Sequence, residues 1–436
     1  MERILLNALS LWKDNPKKKP LIVKGVRQCG KTWLLREFGE RYYRDVAYFN
    51  FEGNDALQAR FDGDLDVRRI IAELGILRQK LIAPQTTLII LDEIQFCNRA
   101  LTALKYFCEN APEYHIVSAG SLLGVALSKP LSFPVGKVDF LTLYPMNFYE
   151  FLTANGERLL CEYLEELPAG RRVSELFADK LEAYLRTYYI TGGMPEAVSV
   201  WLESQDIEKL EETQQKILDS YELDFAKHAP SKDFPKLTAI WRSIPEQLAK
   251  ENTKFIFSQV RKGLRAKDLE DALEWLLNAG LAYKAAKIEK PFLPLSSYAD
   301  QSCFKLYMAD VGLLRRMSRL PAAALLEKSH VFREFRGALT ENYVLCELVS
   351  LYDGDTPFYW KSGNSAEVDF VIQNGMDIVP IEVKAERNER ARSLAEYRKK
   401  YEPRISLTVS MNNAGRNHAP LYLLWKLKKL LGADQF

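Results

Sequence analysis

Among 436 residues there is no C-x-x-C pair, no low-complexity tract and no apolar run near the ~20 residues that cross a bilayer. Without paired cysteines a zinc knuckle is excluded, and the six thiols at Cys29, Cys97, Cys108, Cys161, Cys303 and Cys346 read as reduced and separate. The opening Met-Glu-Arg-Ile-Leu-Leu soon turns charged at Lys13 and Asp14, unlike a secretory leader. Together these absences point to a reducing cytoplasm and no membrane partner. Charge of one sign is also missing: the formal net charge is only +2, so no global attraction to a polyanion operates and any such site must come from local Lys and Arg clustering. Gly and Pro are modest, whereas hydrophobic residues reach 47% and charged residues 27%, the profile of a folded chain. Since ordinary domains run to ~100–200 residues, more than one core is expected.

The first 150 residues alternate short apolar runs with amphipathic stretches. Strands are expected at 21–24, 45–50, 87–92 and 115–118, with helices at 32–40, 66–81 and 99–110, a β-α-β-α pattern that builds a parallel sheet. From 157 to 227 the period is helical, broken at Gly192-Gly193-Met194-Pro195, where two glycines and a proline cannot continue a helix. Residues 235–288 read as helix, helix, turn, a helix at 266–277 stopped by Gly280, and a strand, the order of a winged helix. The last hundred residues show a helix at 334–351, strands at 357–360, 367–372 and 378–384, and a helix at 392–401. Four domains are therefore expected: an ATPase-type unit at 1–155, a helical connector at 156–234, a winged-helix-like unit at 235–325 and an α/β unit at 326–436.

Gly25-Val26-Arg27-Gln28-Cys29-Gly30-Lys31-Thr32 is a complete G-x-x-x-x-G-K-[ST] sequence placed after a strand and opening a helix. Its glycines let backbone N–H groups curl around phosphates, Lys31 reaches the β and γ phosphates, and the Thr32 hydroxyl ligates Mg²⁺. ATP with Mg²⁺ is the expected occupant. The apolar run Leu88–Leu91 leads into Asp92-Glu93, a Walker B in which Asp92 holds Mg²⁺ and Glu93 deprotonates the attacking water. A polar residue where the next strand ends would contact the γ phosphate or that water; Ser121 and Ser118 are the two candidates, and an ordinary turn or cap role competes for Ser121. This layout points to P-loop ATPases with an additional strand in the sheet.

Near the C-terminus, Asp369 lies in Ala366-Glu367-Val368-Asp369, and a second strand carries Glu382-Val383-Lys384. Alternate strand residues share a face, so Glu382 and Lys384 point the same way and a neighbouring strand could add Asp369. Two carboxylates with a lysine suit metal-assisted phosphodiester hydrolysis, with Glu341 on the preceding helix as a further ligand. The alternative is solvated strand charges. In the winged-helix region Arg261, Lys262, Arg265 and Lys267 could meet DNA phosphates or form a solvated face. The basic run at 387–404 is interleaved with Glu389, Glu396 and Glu402 and reads as an amphipathic helix packed on the sheet.

The motifs at 25–32, 91–95 and 118–121, with Leu143-Tyr144-Pro145-Met146-Asn147-Phe148-Tyr149-Glu150-Phe151, resemble bacterial AAA-like ATPases fused to a C-terminal domain of unknown function. Gly192–Glu196 and Lys305–Asp310 extend the likeness over most of the chain, and the C-terminal D…E-x-K resembles the PD-(D/E)XK nuclease fold, with Val in place of Pro. The resemblance implies an α/β fold class: a P-loop ATPase sheet, a helical and winged-helix middle, and a restriction-endonuclease-like end. That family tends to have Gly-Arg where this chain has Gly136-Lys137, so no arginine finger is assigned. Two readings follow: ATP hydrolysis coupled to action on nucleic acid, or an ATP-regulated switch for a protein partner whose C-terminal domain docks without catalysis.

Overall fold

The computed structural model describes residues 1–121, 134–250, 254–261, 263–326, 333–363, 366–385 and 392–432. Lys262, Glu389 and most of the segment between Lys384 and Arg392 lie outside them. The chain divides into two compact units, one of Glu2–Tyr144 with Asn278–Gly280, the other of Met1, Pro145–Leu277 and Leu281–Phe436.

The first unit runs α1 (Leu5–Asp14), β1 (Leu21–Lys24), α2 (Lys31–Tyr42), β2 (Asp45–Asn50), α3 (Asp55–Gln58), α4 (Val67–Leu77), β3 (Thr87–Asp92), α5 (Asn98–Asn110), β4 (His115–Ala119) and β5 (Asp139–Thr142). Its strands are parallel in the order β2-β3-β4-β1-β5. β3 and β4 are buried at every position, as expected of continuous apolar runs covered on both faces. Helix α4 starts where Asp66 caps it, accepting from the Arg69 N–H at 2.9 Å, and ends four residues before the expected Leu81 because Gln79 adopts φ 55°. Ile70, Leu74, Ile89, Leu91, Leu104 and Phe107 belong to the apolar core between sheet and helices.

The second unit opens with helices α6 (Phe148–Ala154), α7 (Arg158–Glu166), α8 (Glu175–Thr191), α9 (Pro195–Ser204) and α10 (Ile207–His228). Asn147 and Glu150 form a reciprocal capping box that starts α6. Phe148 packs its ring against Tyr188, Tyr343 and Trp425, drawing helices distant in sequence around one aromatic core. The chain continues through α11 (Phe234–Leu248), α12 (Phe257–Val260), α13 (Ala266–Asn278), β6 (Ala282–Ile288), β7 (Ala299–Met308), α14 (Val311–Met317), α15 (Ala323–Leu326), α16 (Arg333–Leu351), β8 (Phe358–Ser362), β9 (Ala366–Asn374), β10 (Asp377–Val383), α17 (Arg392–Tyr401), β11 (Leu407–Ser410), β12 (His418–Pro420) and α18 (Leu427–Gly432). Seven strands form one mixed sheet in the order β12-β11-β10-β9-β8-β6-β7.

By compactness the first unit's main stretch ends at Tyr144, and the segment beginning at Pro145 folds into the other unit, where the Met146 N–H donates to Gly193 O at 2.7 Å. β6, the strand that follows the third helix of the winged-helix reading, pairs in parallel with β8 through Lys287–Tyr359 and Ile288–Trp360, so the middle and C-terminal regions share one sheet.

Candidate functional site

Loop 25–30 joins β1 to α2, and its backbone takes conformations that side chains resist. Gly25 has φ 152°, and a Cβ there would lie 2.3 Å from Leu143 O; Gly30 has φ 94° and caps α2. Gln28 is also left-handed at φ 64°. Val26 and Cys29 are buried, so the loop is held from behind. Lys31 is buried and its Nζ donates to Gly25 O and Val26 O, each at 2.9 Å, which sets the ammonium inside the loop's curve. The Thr32 hydroxyl donates to Asp92 Oδ2 at 2.7 Å. These residues fit a Mg²⁺-bound triphosphate: a hydroxyl and a carboxylate adjoin, a cation sits behind them, and the glycines leave no Cβ in the way.

The strand order explains how Asp92 reaches Thr32. β4 lies between β1 and β3, so the loop and the end of β3 flank the end of β4. Ser121, just beyond β4, donates from Oγ to Glu93 Oε2 at 3.2 Å. Gln95 Nε2 also donates to that oxygen, and Glu93 itself is left-handed at φ 50°. Ser118 differs: it is fully buried beside Leu91 and Ile22, and its hydroxyl has no hydrogen-bond partner among the described residues. Of the two candidates, Ser121 stands at the acidic pair.

Sequence reading missed Tyr48. Its hydroxyl donates to Asp92 Oδ2 at 2.8 Å, and the Arg36 guanidinium lies 4.0 Å from its ring centroid. Burial, and then the bond to Asp92, push the phenol up to about 12, so it stays a donor at neutral pH. A polar aromatic on a strand beside a Walker B was the one signal available. Lys137, where the resemblance expected an arginine, pairs with Glu109 at 2.9 Å on the surface.

In the second unit β9 and β10 are antiparallel neighbours, with Phe370 opposite Ile381 and Asp369 and Glu382 next along the two strands. Asp369 Oδ2 accepts from the Val383 N–H at 2.7 Å. Glu382 pairs with Lys384 at 2.9 Å and accepts from the Leu394 N–H at 2.8 Å at the start of α17. Glu341 accepts from the Tyr307 hydroxyl at 3.1 Å and lies 3.5 Å from Lys305 Nζ. Lys305, absent from the expected set, is 1% exposed and sits 2.7 Å from Glu367. Burial opposes its charge, but Glu341, Tyr307, Glu367 and Asp369 outweigh that and hold the ammonium well above its ordinary range. Burial and Glu341 push Asp369 up to about 8. Among the described residues no three His, Cys, Asp or Glu side chains form a group that could hold a metal ion.

The winged-helix reading meets its own third helix, α13. Arg261, Arg265 and Lys267 are exposed near its start, but its exposed charged positions further along are Glu270, Asp271 and Glu274. Among the described residues no helix is long and apolar enough to cross a membrane.

Residues 17–152 match the model of an AAA domain, residues 182–324 that of a domain of unknown function (DUF8612), and residues 336–423 that of another (DUF4143). No curated protein matches the sequence. Similar solved structures include the Walker-type ATPase PABY2304 of Pyrococcus abyssi, at 15% identity and TM-score 0.45 over 72% of this chain and 94% of that one. The ORC1 protein of Aeropyrum pernix, solved in complex with DNA, is similar at 13% identity and TM-score 0.30 over 74% and 92%. Cdc6p from Pyrobaculum aerophilum is similar at 13% identity and TM-score 0.25 over the same shares, 74% and 92%. The phosphate loop thus lies in a region that matches an AAA domain, followed by two regions that match domains of unknown function.

Proposed function

We propose that the chain binds ATP with Mg²⁺ and hydrolyses it, and that the cycle switches a second unit that docks a protein partner. The observation that carries the hydrolytic part is the Thr32–Asp92 bond at 2.7 Å, with Lys31 inside the loop and Glu93 held by Ser121. Lys31 exchanges its two carbonyl acceptors for phosphate oxygens, and the loop N–H groups bind the remaining phosphate charge. Thr32 and Asp92 are the residues that would hold Mg²⁺, which supplies charge neutralisation across the β and γ phosphates. Glu93 takes the proton of the attacking water, and Ser121 orients its carboxylate. Removing a general base costs about 10²–10⁴ in rate. Glu93→Gln is expected to bind ATP normally while turnover falls by about that factor; undiminished phosphate release by the variant would remove Glu93 from this role.

For the second unit the docking reading is favoured over cleavage. The carboxylates of the expected nuclease-like site are spoken for: Glu341 by Lys305 and Tyr307, Glu382 by Lys384 and a helix N–H, Asp369 by a strand N–H. The acidic outer positions of α13 also repel a phosphate backbone. Free thiols at all six cysteines fit action in a reducing cytoplasm. End-labelled single- and double-stranded DNA, incubated with Mg²⁺ or Mn²⁺ and with or without ATP, is expected to stay intact. Metal-dependent cutting that disappears in Asp369→Ala would reinstate the nucleic-acid reading.

A further inference from the structure

Arg3 precedes the first helix and nothing in the motif points to it, yet it reaches the phosphate loop. Its guanidinium is buried, with 4% of the residue exposed; Nη1 donates to Cys29 O at 2.8 Å and Nη2 to Tyr144 O at 2.6 Å. Cys29 is the residue before Gly30, and Gly30 caps α2. In a trans peptide the carbonyl and the following N–H point in opposite directions. Pinning Cys29 O outward therefore turns the Gly30 N–H toward the inside of the loop, where the phosphates bind. The second bond anchors the same guanidinium to the chain just beyond β5, itself tied to β1 where the Leu143 N–H meets Lys24 O at 2.8 Å. The loop is thereby braced against the edge of the sheet by a planar fork that lysine does not reproduce.

We infer that Arg3 is a positioning residue of the nucleotide site, presetting the Cys29–Gly30 peptide for phosphate binding. This rests on the reading of the loop as an ATP site. Both guanidinium bonds go to main-chain carbonyls behind the loop, so the effect of Arg3 falls on binding rather than on the chemical step. Removing both bonds is expected to weaken Mg²⁺–ADP binding by about tenfold or more, the scale of a lost charged hydrogen bond.

The test is calorimetric titration of full-length wild type, Arg3→Met and Arg3→Lys with Mg²⁺–ADP, together with KM and kcat for ATP and the Tm of each protein. Expected is a raised Kd and KM for Arg3→Met with kcat within about twofold of wild type, and partial recovery in Arg3→Lys, which retains the charge but not the fork. Equal Kd and KM in a variant that keeps the wild-type Tm overturns the inference. Should Arg3→Met fail to fold, Arg3→Lys carries the test alone: unchanged Kd and KM refute the positioning role, and a raised KM with preserved kcat supports it. Wild type that binds no Mg²⁺–ADP sinks the ATP reading itself, a result distinguishable from failure of Arg3.

Discussion

Glu347 is a carboxyl with 2% of its surface exposed, accepting from the Phe148 N–H at 2.8 Å through one oxygen while the other has no partner among the described residues. Burial pushes it up to about 8, whereas in the unfolded chain it ionises near 4.5. Between those two values the folded state binds more protons than the unfolded one, so stability falls as pH rises through that window. Asp310, raised to about 6, and Asp369, raised to about 8, add to the same trend. The Tm is expected to drop between about pH 5 and pH 8, and Glu347→Gln, which retains the acceptor without the charge, to flatten part of that slope in thermal melts. A flat wild-type profile would mean these carboxyls are solvated. At this scale the sequence was legible where chemistry is local: Gly25 to Thr32 lie within eight positions, and Asp92 and Glu93 are adjacent. Tyr48, Arg3 and Lys305 were not legible, because their partners are 26 to 141 residues away and no spacing rule links them.

Elements meet through backbone as well as side chains. The turn between α8 and α9 holds Gly192 and Gly193, with the Asp310 carboxylate accepting from the Gly193 N–H at 2.6 Å and from the Leu313 N–H at 2.8 Å at the start of α14. A Cβ on Gly192 would lie 2.2 Å from Asp310 Oδ1, and one on Gly193 would lie 2.0 Å from Met146 O. Because the obstacle at Gly193 is main chain, Gly193→Ala is expected to cost about 2–4 kcal/mol in chemical denaturation. A loss under about 0.5 kcal/mol would show that the turn relaxes freely. The two glycines were visible as punctuation in the sequence, and the Lys305–Asp310 stretch only as part of the family resemblance. That one is the socket for the other was not, since a turn signal specifies a change of direction and no neighbour.

For the whole molecule, periodicity located nearly all the strands of the first sheet and most of the second, because each strand is an apolar run bounded by turn residues. Strand partnership was harder. β7 and β8 are separated by some fifty residues of mostly helical chain, and nothing in that interval announces that β6 will lie beside β8. The shared sheet has a consequence for how such a protein can be taken apart and recombined. A chimera that retained residues 326–436 and exchanged 235–325 would strip β8 of its partner at Tyr359 and Trp360, leaving open hydrogen-bonding groups along an edge that invites foreign strands. Residues 235–436 would therefore have to be moved together, with β6 and β8 kept on one piece of chain.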